Sequence, residues 1–123
     1  MTYYPTLIDV AAIARRIGAP VRDLGLIESA LARPRTALFG EDAYADDWLK
    51  AAALLHSFVA NHPFVDGNKR MGWVMAITFL RANEVINNLE VDQDAAYDLV
   101  IAVASSQLSD IAEIAARLRK LFA

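Results

Sequence analysis

The stretch that most constrains this chain is Asn61-His62-Pro63-Phe64-Val65-Asp66-Gly67-Asn68-Lys69-Arg70, set between two apolar segments of helical period. It crowds an imidazole, a carboxylate, an amide, an amine and a guanidinium into one helix-to-helix connection, which needs none of them merely to turn. His62 closes the preceding helix, because a residue before proline is pushed out of the α region. Gly67 admits φ > 0 or lets a ligand approach the backbone closely. Asn68, Lys69 and Arg70 then open a second helix that runs through Trp73, Ile77 and Leu80. The first N–H groups of a helix have no internal partner, and with the positive end of the helix dipole they form an anion site. Lys69 and Arg70 add positive charge at that mouth. Asp66 would repel a bare phosphate, but becomes useful where a divalent cation, Mg²⁺ above all, bridges it to phosphate oxygens. His62, at the other end of the loop, is placed to take a proton from an incoming hydroxyl. Taken singly, these residues read as a helix-end histidine, an Asp-Gly turn and a solvated first turn. Jointly, in one fixed spacing, they suit phosphoryl or nucleotidyl transfer.

The run from His62 to Arg70 resembles the signature of the Fic/Doc superfamily, and specifically of its Doc (death-on-curing) branch. The wider Fic branch usually has Gly where this chain has Lys69, and a further Arg one turn later. Here Met71 follows Arg70, and the next arginine is Arg81. The resemblance continues upstream through Asp23-Leu24-Gly25-Leu26-Ile27-Glu28-Ser29-Ala30-Leu31-Ala32-Arg33-Pro34 and covers nearly the whole chain. It implies an all-α fold, a compact bundle of six helices with the motif loop between the two central ones. By the same resemblance His62 is the general base, Asp66 holds Mg²⁺, and Phe64 anchors the loop in the core. Gly67, Asn68, Lys69 and Arg70 then meet the phosphates of ATP, the co-substrate. Lys69, counted with His62 and Asp66 among the catalytic residues, goes in the Doc branch with a reversed nucleotide and transfer of the γ-phosphate. The implied target is a hydroxyl of a translation protein, with elongation factor Tu as precedent. A Fic-type AMP-transferase and a non-enzymatic interaction module stay open as alternatives.

The resemblance also bears on regulation. Self-inhibited Fic proteins carry a Ser/Thr-x-x-x-Glu-Gly/Asn segment. The one candidate here, Ser109 with Glu113, is followed by Ile114, so the pattern fails. A separate Phd-type antitoxin is therefore implied, its C-terminal segment docking on the toxin in the manner of a helix in a groove. The apolar content of 56% suggests close helix packing and an apolar face kept for that contact.

The remaining sequence frames the loop. At 123 residues one domain spanning 1–123 is expected. A formal net charge of −3 argues against a nucleic-acid footprint. The absence of cysteine excludes disulfides and thiolate metal sites. The N-terminus lacks a basic-then-apolar leader pattern, and the longest apolar run, Met71 to Leu80, is about half a membrane span. A cytoplasmic protein without membrane contact is expected.

Thr6 with Asp9 forms a capping box for a first helix, which Gly18 and Pro20 stop. Asp23 caps a second, with Leu24, Ile27, Ala30 and Leu31 as its apolar stripe and Pro34 as its end. Pro34 to Ala45 shows no clear period, and by resemblance forms the flap beside the target-peptide groove, with Phe39, Gly40 and Tyr44. The plainer alternative is a surface loop whose aromatics tuck into the core. Asp46 or Asp47 caps a third helix that buries Trp48, Ala51, Ala52, Leu55, Phe58 and Val59. His56, on that helix, reads as structural. The fourth helix, apolar almost all round, reads as central. Val85 to Val91 reads as a turn with extended flanks. Asp92 caps a fifth helix carrying Tyr97, Leu99 and Val103, and Ser109 caps a sixth.

Overall fold

The computed structural model describes residues 1–123. Six helices follow in order: α1 (Leu7–Ile17), α2 (Leu24–Ala32), α3 (Asp47–Asn61), α4 (Asn68–Ala82), α5 (Gln93–Ala104) and α6 (Ile111–Leu121). A 3-10 turn, Arg33–Arg35, and a hairpin of β1 (Ala37–Leu38) and β2 (Glu41–Asp42) lie between α2 and α3. The fold is all-α apart from that hairpin.

Local capping chemistry sets most helix starts. Thr6 and Asp9 complete the capping box of α1, and Gly18 ends it at φ 81°. Asp23, Asp46 and Asp92 each accept a hydrogen bond from the first turn of the helix they precede. The sixth helix departs from the expected start: its cap is Asp110, with no side-chain bond, and not Ser109. Val85 to Val91 pairs with no strand.

The axis of the fold is α3, which packs against α2, α4, α5 and α6. Ala51, Ala52, Ala53, Leu54, Leu55, Phe58 and Val59 are wholly enclosed. Small alanines let neighbouring helices close in on every side, which accounts for part of the high apolar content. Along α4, no residue from Met71 to Leu80 is exposed. The two central helices approach closely at Gly72, where a Cβ would lie 2.5 Å from Val59 Cγ2 and 3.2 Å from the Leu55 carbonyl oxygen. Two residues expected inside are not there: Leu24 and Tyr97 are more than half outward-facing or close to it, at 50% and 64% exposure.

The segment without period proves to be the hairpin. Strands of two residues are too short to show an alternation, and their turn places Phe39 (φ 52°) and Gly40 (φ 80°) in left-handed backbone, as tight hairpin turns require. Phe39 stands at the tip, 96% exposed, and does not tuck into the core. Two cations fasten the hairpin to α3. The buried Lys50 donates to Asp42 Oδ2 at 3.1 Å and to the Tyr44 carbonyl at 2.6 Å. Arg33 donates from Nε to the Tyr44 hydroxyl at 2.9 Å, and from one terminal nitrogen to Ser57 Oγ at 3.1 Å, with His56 Nδ1 at 2.8 Å. His56 is thus structural, as expected, and burial together with the Arg33 charge holds its pKa below the usual histidine range.

Two expectations follow. Gly72→Ala forces Val59 and the α3 backbone to move, so the urea midpoint should fall by the equivalent of about 1–3 kcal/mol, against the small gain Ala brings to a helix interior. At His56 the unfolded chain binds a proton at higher pH than the folded one. Its contribution to stability is therefore full above about pH 6.5 and declines as pH falls toward the lowered folded value. Melting temperatures of His56→Gln should lose that part of the acid-side slope.

Candidate functional site

The site begins where α3 stops. His62 leaves the right-handed α region, as its place before proline demands, but enters left-handed backbone at φ 53°, ψ 58° and not the extended region. That conformation costs a non-glycine residue about 1–2 kcal/mol and needs support. Arg22 supplies it, donating from Nε to the His62 carbonyl at 2.8 Å and from a terminal nitrogen to the Asn61 carbonyl at 3.2 Å. A cation at the C-terminal end of a helix also meets the negative end of its dipole.

The connection between α1 and α2 then grips the loop through its backbone. Val65 N–H donates to the Pro20 carbonyl at 2.8 Å, while the Arg22 and Asp23 N–H groups donate to the Pro63 carbonyl at 2.9 and 3.0 Å. Phe64, 1% exposed, stacks on Phe58 with ring centroids 6.2 Å apart. Asn68 staples the loop from the other side. Its Oδ1 accepts from the Phe64 N–H and its Nδ2 donates to the Phe64 carbonyl, both at 2.9 Å, with Nδ2 3.4 Å from His62 Nδ1. The Asn68 side chain is therefore committed to the loop, and only its main-chain N–H remains to meet an anion.

Gly67 precedes α4 at φ 86°, and a Cβ there would lie 3.2 Å from Ala19 Cβ. Both the left-handed backbone and the close approach call for glycine. The N–H groups of Asn68, Lys69 and Arg70 have no partner in the protein. Lys69 and Arg70 are exposed and form no ion pair, since the one salt bridge in the molecule joins Lys50 to Asp42. Asp66 accepts from the Gly67 N–H through Oδ1 at 2.9 Å, which leaves Oδ2 for a ligand.

Asp66, Gly67, Asn68, Lys69 and Arg70 share one cavity of about 610 Å³. The rest of its lining comes from residues that sequence reasoning did not assign to the site: Ile17 and Gly18 at the end of α1, Trp73 on α4, and Gln93, Ala96, Tyr97, Val100 and Ile101 on α5. Tyr97 lies in an apolar stripe by spacing, so nothing in the sequence separates it from core. His62 is exposed and stands outside the cavity wall, joined to it through Asn68. Phe39 and Gly40 lie at the hairpin tip, away from the cavity, and Tyr44 turns inward onto Arg33. Arg22 was also missed, because a lone arginine between two helices carries no pattern. No cluster of three or more His, Asp or Glu side chains could enclose a metal. A single carboxylate nonetheless suits Mg²⁺, which keeps several waters and takes the rest of its oxygens from a substrate's phosphates.

Comparison with known proteins identifies the family. Residues 4–80 match the Fic/DOC family. The chain is 49% identical to "Toxin Doc" of Mycolicibacterium smegmatis over 98 residues, which cover 80% of this chain and 75% of that one. It is also 65% identical to a Fido domain-containing protein of Dictyostelium discoideum over 26 residues, 21% of this chain and 18% of that one. The chain belongs to the Fic/Doc family, in its Doc branch. None of its helices is long and apolar enough to cross a membrane.

If Arg22 holds the loop, Arg22→Ala should speed hydrogen exchange of the Val65 amide by about tenfold, the effect of losing one modest charge-assisted bond. The melting temperature should change little, because Arg22 is exposed and lies outside the core.

Proposed function

We propose that this chain is a Doc-type toxin that transfers the γ-phosphate of ATP to a protein hydroxyl. The observation that carries the reading is the cavity edge. Three unpartnered main-chain N–H groups, Lys69, Arg70 and Asp66 meet there, with His62 tied to them through Asn68. In this reading the amides and both cations bind the triphosphate, and Trp73 and Tyr97 offer aromatic faces within the same cavity. Asp66 would hold Mg²⁺, which when bound neutralises phosphate charge. His62 takes the proton of the acceptor hydroxyl as its oxygen bonds to the γ-phosphorus, and the bond from that phosphorus to the bridging oxygen breaks, releasing ADP. Lys69, in place of the Gly of the Fic branch, supports γ-phosphate transfer over AMP transfer.

The name of the Mycolicibacterium smegmatis relative, "Toxin Doc", supports the toxin role and, with it, a Phd-type antitoxin as partner. A protein of the translation machinery such as elongation factor Tu is the proposed target, and the cytoplasm the proposed place of action.

The deciding experiment supplies the chain with γ-labelled or α-labelled ATP, Mg²⁺ and a cell extract. Label from the γ position should appear on one protein whose mass rises by about 80 Da, whereas AMP transfer would add about 329 Da and carry the α label. His62→Ala should slow transfer roughly 10²–10⁴-fold if the imidazole is the general base. Transfer of neither label to any protein would overturn the reading.

A further inference from the structure

A second cavity, a wide-open depression of about 550 Å³, shares no lining residue with the first and is bordered by Ser29, Arg33, Thr36, His56, Ser57 and Asn61. Arg33 is its one charged group. A guanidinium stays cationic at any physiological pH, and this one is half-buried with no carboxylate within ion-pairing reach, since the sole salt bridge is Lys50–Asp42. Its Nε and one terminal nitrogen meet neutral groups only, on Tyr44, His56 and Ser57. Its other terminal nitrogen, with two N–H donors, has no protein partner. Fastening the hairpin explains the engaged donors. It explains neither the free pair nor the hydroxyls and amide that complete the cavity around an uncompensated charge.

Position adds the second argument. Thr36 stands at the foot of the hairpin, and Asn61 immediately precedes His62. The cavity is therefore bordered by the residue that precedes the hairpin and by the residue that precedes the histidine. A single cation suits a monoanion, and His56, held neutral by burial and by Arg33, adds no second charge of the kind a phosphate dianion would favour.

We infer that this cavity is a carboxylate subsite, taking an Asp or Glu side chain of the protein that docks beside the hairpin with its hydroxyl at His62. The identity of the docking protein as the phosphate acceptor rests on the function proposed above. The carboxylate receives the free Arg33 N–H donors, with the hydroxyls of Ser29 and Thr36 and the Asn61 amide at hand for its remaining lone pairs. Substrate proteins would then be selected for an acidic residue near the acceptor hydroxyl.

The test uses the isotope-labelled 123-residue chain without nucleotide. N-acetyl-glutamate N-methylamide, its glutamine counterpart and inorganic phosphate are titrated separately, and the Arg33 Nε–H and His56 ring signals are read by NMR. The glutamate compound should shift both signals saturably, with at least about tenfold higher affinity than the glutamine compound, as expected for one charge-assisted contact. Arg33→Lys, which keeps the charge but loses the planar fork, should lose about tenfold of that affinity. Equal affinity for the glutamate and glutamine compounds overturns the subsite, as do shifts of Arg22 and Arg35 matching those of Arg33. Tighter binding of phosphate than of the glutamate compound overturns the peptide assignment and gives the cavity to a free anion. Should Arg33→Lys fail to fold, the wild-type titrations decide alone. Since no nucleotide is present, the subsite can fail while γ-phosphate transfer stands, and the reverse.

Discussion

A short strip of backbone hydrogen bonds, between Pro20–Asp23 and Pro63–Val65, sets the position of every group around the loop. Without it, the connection between α3 and α4 would be a reversal with a left-handed histidine at its first position and nothing to hold it there. With it, Phe64 is driven onto Phe58, Asn68 is aligned to bridge the loop from within, and Gly67 comes to rest against Ala19. Arg22 closes the strip at the carbonyl end of α3. Polar contacts of ordinary strength thus fix a chemically loaded loop, because the apolar contact of Phe64 and the ladder act at the same place.

The helices beneath supply rigidity. α3 packs against four other helices, and its alanines allow that enclosure. Gly72 brings α4 close enough for the Leu55 backbone to be a direct neighbour. A loop joining two helices packed so tightly has little freedom to slide, and protein interiors at this density resist displacement. The hairpin is a looser attachment. Its hold on the core consists of two cations, Arg33 and Lys50, and the intervening tip projects Phe39 into water. The centre of the bundle is thus rigid and its edge lightly tethered.

Much of this was legible in the sequence. The six helices follow from period and caps, and five starts follow from Thr6, Asp23, the Asp46-Asp47 pair, Asp92 and the loop before Asn68. The sixth failed because Ser109 and Asp110 are both plausible caps, and Asp110 makes no side-chain bond that would have marked it. The hairpin was invisible because two-residue strands carry no alternation. At the site, the loop residues announce themselves by chemistry, and five of them share a cavity wall. Arg22, Trp73 and Tyr97 were not recoverable, since their roles depend on which face of α5 turns toward α4 and on which carbonyls α3 leaves open. Asn68 carries a second task that its place beside the helix start does not announce: its side chain bridges the loop at Phe64, while its main-chain N–H stays free.

The donors at the start of α4 belong to the main chain. No exchange of one side chain for another deletes them, proline apart, so the cradle itself is nearly immune to point mutation. Diversity among chains built this way can therefore accumulate in the cations, in the α5 wall and in the hairpin without removing the unpartnered donors. Loss of the cradle by drift must come from elsewhere: from a residue whose bulk dislodges the turn at Gly67, or from loosening of the strip that aims it.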